Sequence, residues 1–130
     1  MNVENIRLVI ETIRDEDNAF SMEDYGNPAC GTAACICGWA NHLLWKQDPS
    51  MPVYYDSHIS AGKFLGIDEL RLESTLFFAF DADGAAYMDS ITRDEAITTL
   101  ENLIETGKVD WSHAKSYVKR EDRLNDCYEY

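Results

Sequence analysis

Positive charge is what this chain has least of. Its 130 residues include 11 lysines and arginines against 24 aspartates and glutamates, a formal net charge of −13. Between Arg14 and Lys46 there is no lysine or arginine, while Asp15, Glu16, Asp17, Glu23 and Asp24 fall inside that gap. A surface so negative repels phosphate backbones and anionic headgroups, which disfavours direct binding of nucleic acid or of a membrane surface. Basic protein surfaces, metal ions and cationic ligands are favoured instead. Long apolar runs are also missing. The longest aromatic-rich stretch, Leu76 to Phe80, falls far short of the roughly 20 residues that a membrane span needs. The first fifteen residues carry Glu4, Arg7, Glu11, Arg14 and Asp15 where an export signal would need an apolar core. The expectation is a cytoplasmic protein with no membrane partner, whose four cysteines stay reduced. Internal repeats and low-complexity tracts are absent.

What is present suffices for one core. With 45% hydrophobic and 12% aromatic residues, the chain is too apolar to be disordered and long enough to fold without a metal or disulfide. The predicted fold is mainly all-α: a compact single-domain bundle of five to six helices around a central buried helix, with room for one short two-stranded β piece. Residues 1–120 form the domain and 121–130 a polar, fraying tail. Ile6, Val9, Ile10 and Ile13 recur at helical spacing, with Leu8 off the stripe, which predicts an amphipathic helix from Val3 to about Glu16. The central helix is expected over the stretch from Thr32, its N-cap, to Trp45, where small or apolar residues run almost unbroken. Val53–Tyr55 is the expected strand. Asp56-Ser57 caps a helix to Leu65 with Gly66 as its stop, and Asp68 caps another, through Glu69 to about Phe78. Asp81 to Asp89 is expected to be an irregular, flexible acidic loop. Thr92-Arg-Asp-Glu95 is a capping box before Ala96, Ile97, Leu100, Leu103 and Ile104, with Gly107 as the stop. Asp110 is expected to cap a last helix with Trp111, Ala114 and Val118 facing inward.

Chemistry concentrates in the central stretch. A helix starting at Thr32 puts Cys35 in the first turn, where free amides and the positive helix end favour a thiolate. Cys35, Trp39 and His42 share one face. Seven helical residues rise about 10 Å, so His42 does not reach Cys35, and His58 or His113 would have to serve as base. Cys30, Cys35, Cys37, His42 and Cys127 are the candidate metal ligands. The C-x4-C-x-C spacing lacks zinc knuckles, and Cys35 and Cys37, two apart on a helix, point away from each other. The plainer reading makes the thiols small core residues and Trp39 and Trp45 packing, so no cofactor is expected.

Two further segments imitate known sites. Asp81-x-Asp83-Gly84 matches part of a calcium loop, but the register puts Ala79 at position 1 and Ser90 at position 12, where a bidentate glutamate is required. Ala61 to Ile67 followed by Asp68 to Glu73 resembles a helix-turn-helix, the pattern of a DNA-binding regulator. Its would-be recognition helix carries three acids against Arg71, and residues 68–110 hold eleven acids against three bases, the wrong sign for a groove. The candidate partner-binding residues are Asp81, Asp83, Asp89, Asp94, Glu101 and Glu105.

Cys30-Gly-Thr-Ala-Ala-Cys35-Ile36, Gly38-Trp39-Ala40, Leu65-Gly66-Ile67 with Leu76-Phe77, and Ile91-Thr92 to Leu103 followed by Gly107-Lys-Val-Asp-Trp111 together resemble a family of small uncharacterised bacteriophage and prophage proteins. The resemblance spans roughly residues 20–111. Cys37 departs from it, standing where the family usually has a small residue such as alanine. The resemblance implies a phage-type origin and action inside the host cell, and it carries no activity. Together with the charge it points to a protein that binds a basic host protein, in its strong form by imitating nucleic acid. A thiol-dependent enzyme or redox protein using Cys35 is the rival class.

Overall fold

The computed structural model describes residues 1–28, 31–50, 52, 54–67 and 69–122. It is mainly helical, with one short two-stranded antiparallel sheet. Helix α1 runs Val3–Arg14 behind an Asn2 cap and buries Ile6, Val9, Ile10 and Ile13 on the expected stripe, while Leu8 stays exposed. It packs against α5, Arg93–Thr106, whose Thr92–Glu95 capping box forms and whose Ala96, Ile97, Leu100 and Leu103 enter the core. Gly107 ends α5 in the left-handed region at φ 73°, as expected from its place after the last periodic residue. Arg93 locks the pair together. Its guanidinium donates to the carbonyls of Ile13 and Asp15, 2.6 and 2.7 Å away, satisfying groups that the end of α1 leaves open. That anchorage fits a helix ending at Arg14, two residues earlier than its sequence suggests.

The central helix, α2, spans Ile36–Gln47 and contacts both α1 and α3, His58–Leu65. Seven consecutive residues, Ile36 to His42, are buried, so no side of its first half faces water. The helix does not begin at Thr32. Ala34 donates its amide to Ala19 and Cys35 to Asp24, and Ser21 donates to Ala34, so residues 34 and 35 are committed to extended pairing. Cys35 itself is the N-cap: its sulfur accepts the Gly38 amide at 3.5 Å. The Thr32 hydroxyl instead accepts the Asn27 amide. At Gly38 the approach is close, because a Cβ would lie 2.1 Å from the Tyr25 carbonyl oxygen.

Ser57 caps α3 and Gly66 stops it at φ 70°, as the sequence suggests. Helix α4 covers Leu70–Phe77, and α3 and α4 pack side by side. Asp68, its expected cap, lies outside the described residues; Glu69 occupies the N-cap without a side-chain bond. The end of α4 is unusual. Ala79 follows it at φ 59°, a left-handed conformation that costs a non-glycine residue about 1 kcal/mol. The Phe80 amide reaches back to the Thr75 carbonyl, and the alanine methyl is fully buried, which offsets the strain.

Of the strand expected at Val53–Tyr55, Val53 lies outside the described residues, and Tyr54 and Tyr55 are not in a strand. The sheet pairs β1, Gly84–Ala85, with β2, Val118–Lys119, in the register Gly84 to Lys119 and Ala85 to Val118. The acidic segment is therefore built rather than irregular, continuing into a 3₁₀ turn over Met88–Ser90. The expected helix after Asp110 is also absent. Asp110 accepts the Ser112 amide as a cap would and Asp81 takes the free Trp111 amide, but the Lys115 amide, which a helix would direct to the Trp111 carbonyl, goes to Glu95, and Ala114 and Tyr117 close tight turns instead. Trp111 and Ala114 are nevertheless buried as expected, and the Trp111 indole donates to the Thr75 carbonyl at 2.9 Å. Residues 123–130, most of the expected tail, lie outside the described residues. No described helix is long and apolar enough to cross a membrane.

Candidate functional site

The thiols of α2 sit in structural positions. Cys35 is buried as a cap, and burial followed by the carboxylate of Asp24 pushes its thiol up despite the amides that lower it. Cys37 is fully buried, with its sulfur 3.6 and 3.7 Å from the carbonyls of Tyr55 and Ser57. Burial, with the nearby Cys35, Asp56 and Glu73, raises its thiol well above the ordinary range. A thiol held protonated is a poor nucleophile and a poor ligand. The imidazoles named as candidate bases are engaged elsewhere. His58 Nε2 is hydrogen-bonded to the Tyr25 hydroxyl at 2.8 Å, and His113 Nε2 lies 2.9 Å from the Thr99 hydroxyl. His42 stands edge-on to Trp39 and tilts against Trp45. It is 7% exposed, its Nδ1 has no hydrogen-bond partner, and burial followed by Lys46 holds its basicity below the usual imidazole range. Cys30 and Cys127 lie outside the described residues. Among the described residues no three His, Cys, Asp or Glu side chains gather around a point where one ion could be held.

Beside these groups Asn41 does structural work that its sequence position does not announce. Its amide donates to the carbonyls of Tyr55 and Ser57, and its oxygen accepts from the Ser60 hydroxyl at 2.6 Å. That clip fixes the entry into α3 against α2.

The six candidate carboxylates divide into three kinds. Asp81 is half-buried and fully engaged: one oxygen accepts the amides of Asp83 and Gly84 and the Tyr117 hydroxyl, and the other accepts the Trp111 amide. It is a hub of the fold. Asp83 and Asp89 are exposed on either side of β1. Asp94, Glu101 and Glu105 are exposed along α5, at spacings of seven and four that place them on one side, opposite the face buried against the core. Among the described residues, Glu101 alone of the six meets a base, Arg14, at 3.5 Å. Glu95, which the candidate set omits, ties the start of α5 to the Trp111 turn. Burial raises its carboxyl, but the amides of Thr92 and Lys115 outweigh that and hold it below the usual range.

A further feature was not legible as a site in the sequence. Past the end of α4, Phe78, Phe80, Tyr87 and Met88, with Ala85 and Arg120, line an open hollow of about 880 Å³. Phe78 is 40% exposed, Phe80 38% and Tyr87 55%. The available signal was the run Phe77-Phe78-Ala79-Phe80, which has more aromatic residues in succession than one helix face can bury. Comparison with known protein families, with curated proteins and with solved structures gives no match for this chain.

Proposed function

We propose that the protein is a binding module that engages a basic surface on another protein through its carboxylates. The observation that carries this reading is the outer face of α5, where Asp94, Glu101 and Glu105 project from a helix whose opposite face is anchored in the core. A rigid row of like charge on a chain of net charge −13 steers a cationic partner and fixes its orientation. In the strong form of the reading these acids stand in for phosphates and occupy a nucleic-acid channel. The resemblance of the Cys30 to Ala40 segment to small bacteriophage and prophage proteins supports a host protein as the partner and the host cytoplasm as the setting.

Capture from bacterial lysate across a salt titration tests the proposal. The expected result is a specific partner released between roughly 50 and 500 mM salt, over which the Debye length shrinks to a few ångströms. Asp94→Lys combined with Glu101→Lys and Glu105→Lys should abolish capture while leaving the fold intact, since all three side chains are exposed and the Arg14–Glu101 pair and the first-turn acid contribute at most about 1 kcal/mol each. A partner held equally well at high salt, or tight binding of duplex DNA by the protein alone, would overturn it.

A further inference from the structure

We propose that the hollow between the end of α4 and the β1–β2 ribbon is the anchor site for that partner, taking one large aliphatic side chain from a segment flanked by lysine or arginine. The proposal rests on the basic-partner reading and adds to it where the partner is gripped and by what.

The hollow is built by the backbone. Ala79, left-handed and buried, separates Phe78 from Phe80, so both flanking rings are left partly in water. The Ala79 carbonyl accepts the Ala86 amide, and Phe80 bridges to Ala85, which brings Tyr87 and Met88 to the same opening. The opposite wall is held by the four bonds to Asp81, by the Arg120 amide donating to the Asp83 carbonyl, and by the Tyr87 amide donating to the Ser116 hydroxyl. Three large aromatic side chains are thus presented by a fixed frame, which is how an anchor pocket avoids the cost of ordering on binding. Its size is within the range of about 300 to 1,000 Å³ usual for ligand pockets.

Charge selects the occupant. Residues 81–89 contain three acids and no lysine or arginine, with Asp83 and Asp89 exposed. Arg120 lines the hollow itself, and Asp81, which also lines it, has both carboxylate oxygens taken by four donors. A cationic side chain is therefore disfavoured inside and favoured at the edge, which calls for an apolar anchor with basic neighbours. A second copy of the chain is the wrong partner, because each copy brings net charge −13 and the same acids to the contact.

Fluorescence anisotropy with four labelled nine-residue peptides tests this: a central leucine flanked by arginines, the same peptide with a central alanine, the same with a central lysine, and the leucine peptide with glutamates for arginines. The leucine–arginine peptide should bind at least ten-fold more tightly than the alanine control, and the acidic peptide should not bind. Phe80→Ala with Tyr87→Ala should bring the leucine peptide down to the alanine level, whereas charge reversal at Asp94, Glu101 and Glu105 should weaken the leucine and alanine peptides alike. Arg120→Glu, at an exposed position, supplies a test that does not depend on the aromatic variant folding: the lysine-centred peptide should bind this variant at least five-fold more tightly than the parent. Equal binding of the leucine and alanine peptides, or an unchanged lysine peptide with Arg120→Glu, would overturn the anchor site and leave the basic-partner reading standing. Failure of every basic peptide to exceed the acidic one would count against both. A concentration-dependent dimer lost in the aromatic variant would assign the hollow to self-association and overturn the proposal.

Discussion

Replacing Asp81 by asparagine exchanges one oxygen for an amino group and leaves the outline of the side chain unchanged, so its effect isolates a single contact. Oδ1 accepts from Asp83 N and Gly84 N at 3.0 Å each and from the Tyr117 hydroxyl at 2.7 Å, and Oδ2 accepts from Trp111 N at 3.0 Å. In Asp81→Asn the first three survive, while the fourth becomes a donor facing a donor. Hydrogen bonds to a charged group contribute about 1.5–3 kcal/mol net, so the asparagine should cost about 2–3 kcal/mol. Asp81→Ala removes all four. Water can reach the Asp83 amide, but the Trp111 amide and Tyr117 hydroxyl are part-buried, so the loss should be about 3–5 kcal/mol. Asp83→Asn, at an exposed side chain, should change stability by less than about 0.5 kcal/mol. Urea denaturation followed by tryptophan fluorescence reads the series. With a slope of about 1–3 kcal/mol/M for a domain of this size, the asparagine midpoint should fall by about 0.7–3 M. An asparagine variant as stable as the parent would show that the Trp111 amide does not depend on Asp81, and the account of Asp81 as the hub that joins β1 to the Trp111 turn would fail.

The remaining predictions concern α2 and the response to acid. Gly38→Ala should lower stability by about 2 kcal/mol or more, because its Cβ would lie 2.1 Å from the Tyr25 carbonyl oxygen; thermal melting checks it, and an unchanged melting temperature contradicts the packing. Cys35 and Cys37 should react with an alkylating reagent only as the protein unfolds, since burial keeps both thiols protonated; mass spectrometry showing rapid labelling of native Cys35 would restore the enzyme reading. His42 is more weakly basic in the fold than in the unfolded chain, so its contribution to stability is complete above about pH 6.5 and declines as pH falls below that. Urea midpoints at pH 7.5 and 5.5 should therefore differ, and His42→Phe should narrow the difference. The depressed Glu95 carboxyl contributes above about pH 4.3 and loses its contribution as pH falls further, so Glu95→Gln should flatten stability below pH 5.

Helices whose signal is local were legible directly. The stripe Ile6, Val9, Ile10 and Ile13, the Thr92–Glu95 box, the Ser57 cap and the Gly66 and Gly107 stops each involve residues within a turn or two of one another, and each appears as read. Errors fell where a distant partner competes for a backbone group. Thr32 has the chemistry of a cap, but the amides of Ala34 and Cys35 are already bonded to Ala19 and Asp24, so α2 begins three residues later and Cys35 caps it. Trp111 to Tyr117 carries a plausible helical pattern, yet Glu95, 20 residues away from Lys115, accepts the amide that a helix would direct to the Trp111 carbonyl. The small sheet could not be placed, because two-residue strands have no periodicity to detect and exist through their pairing.

The sequence by itself determined the charge, the helical class, the caps and the identity of the buried stripes, because composition and i to i+4 spacing are properties of the chain alone. The tertiary structure decided what each acid is for. Asp81 and Asp83 are two residues apart and chemically identical, yet the fold surrounds one with four donors and leaves the other in water. It likewise decided that Phe80 and Tyr87 should face one hollow rather than the core, since a left-handed alanine and a strand pairing 34 residues away set where those rings point.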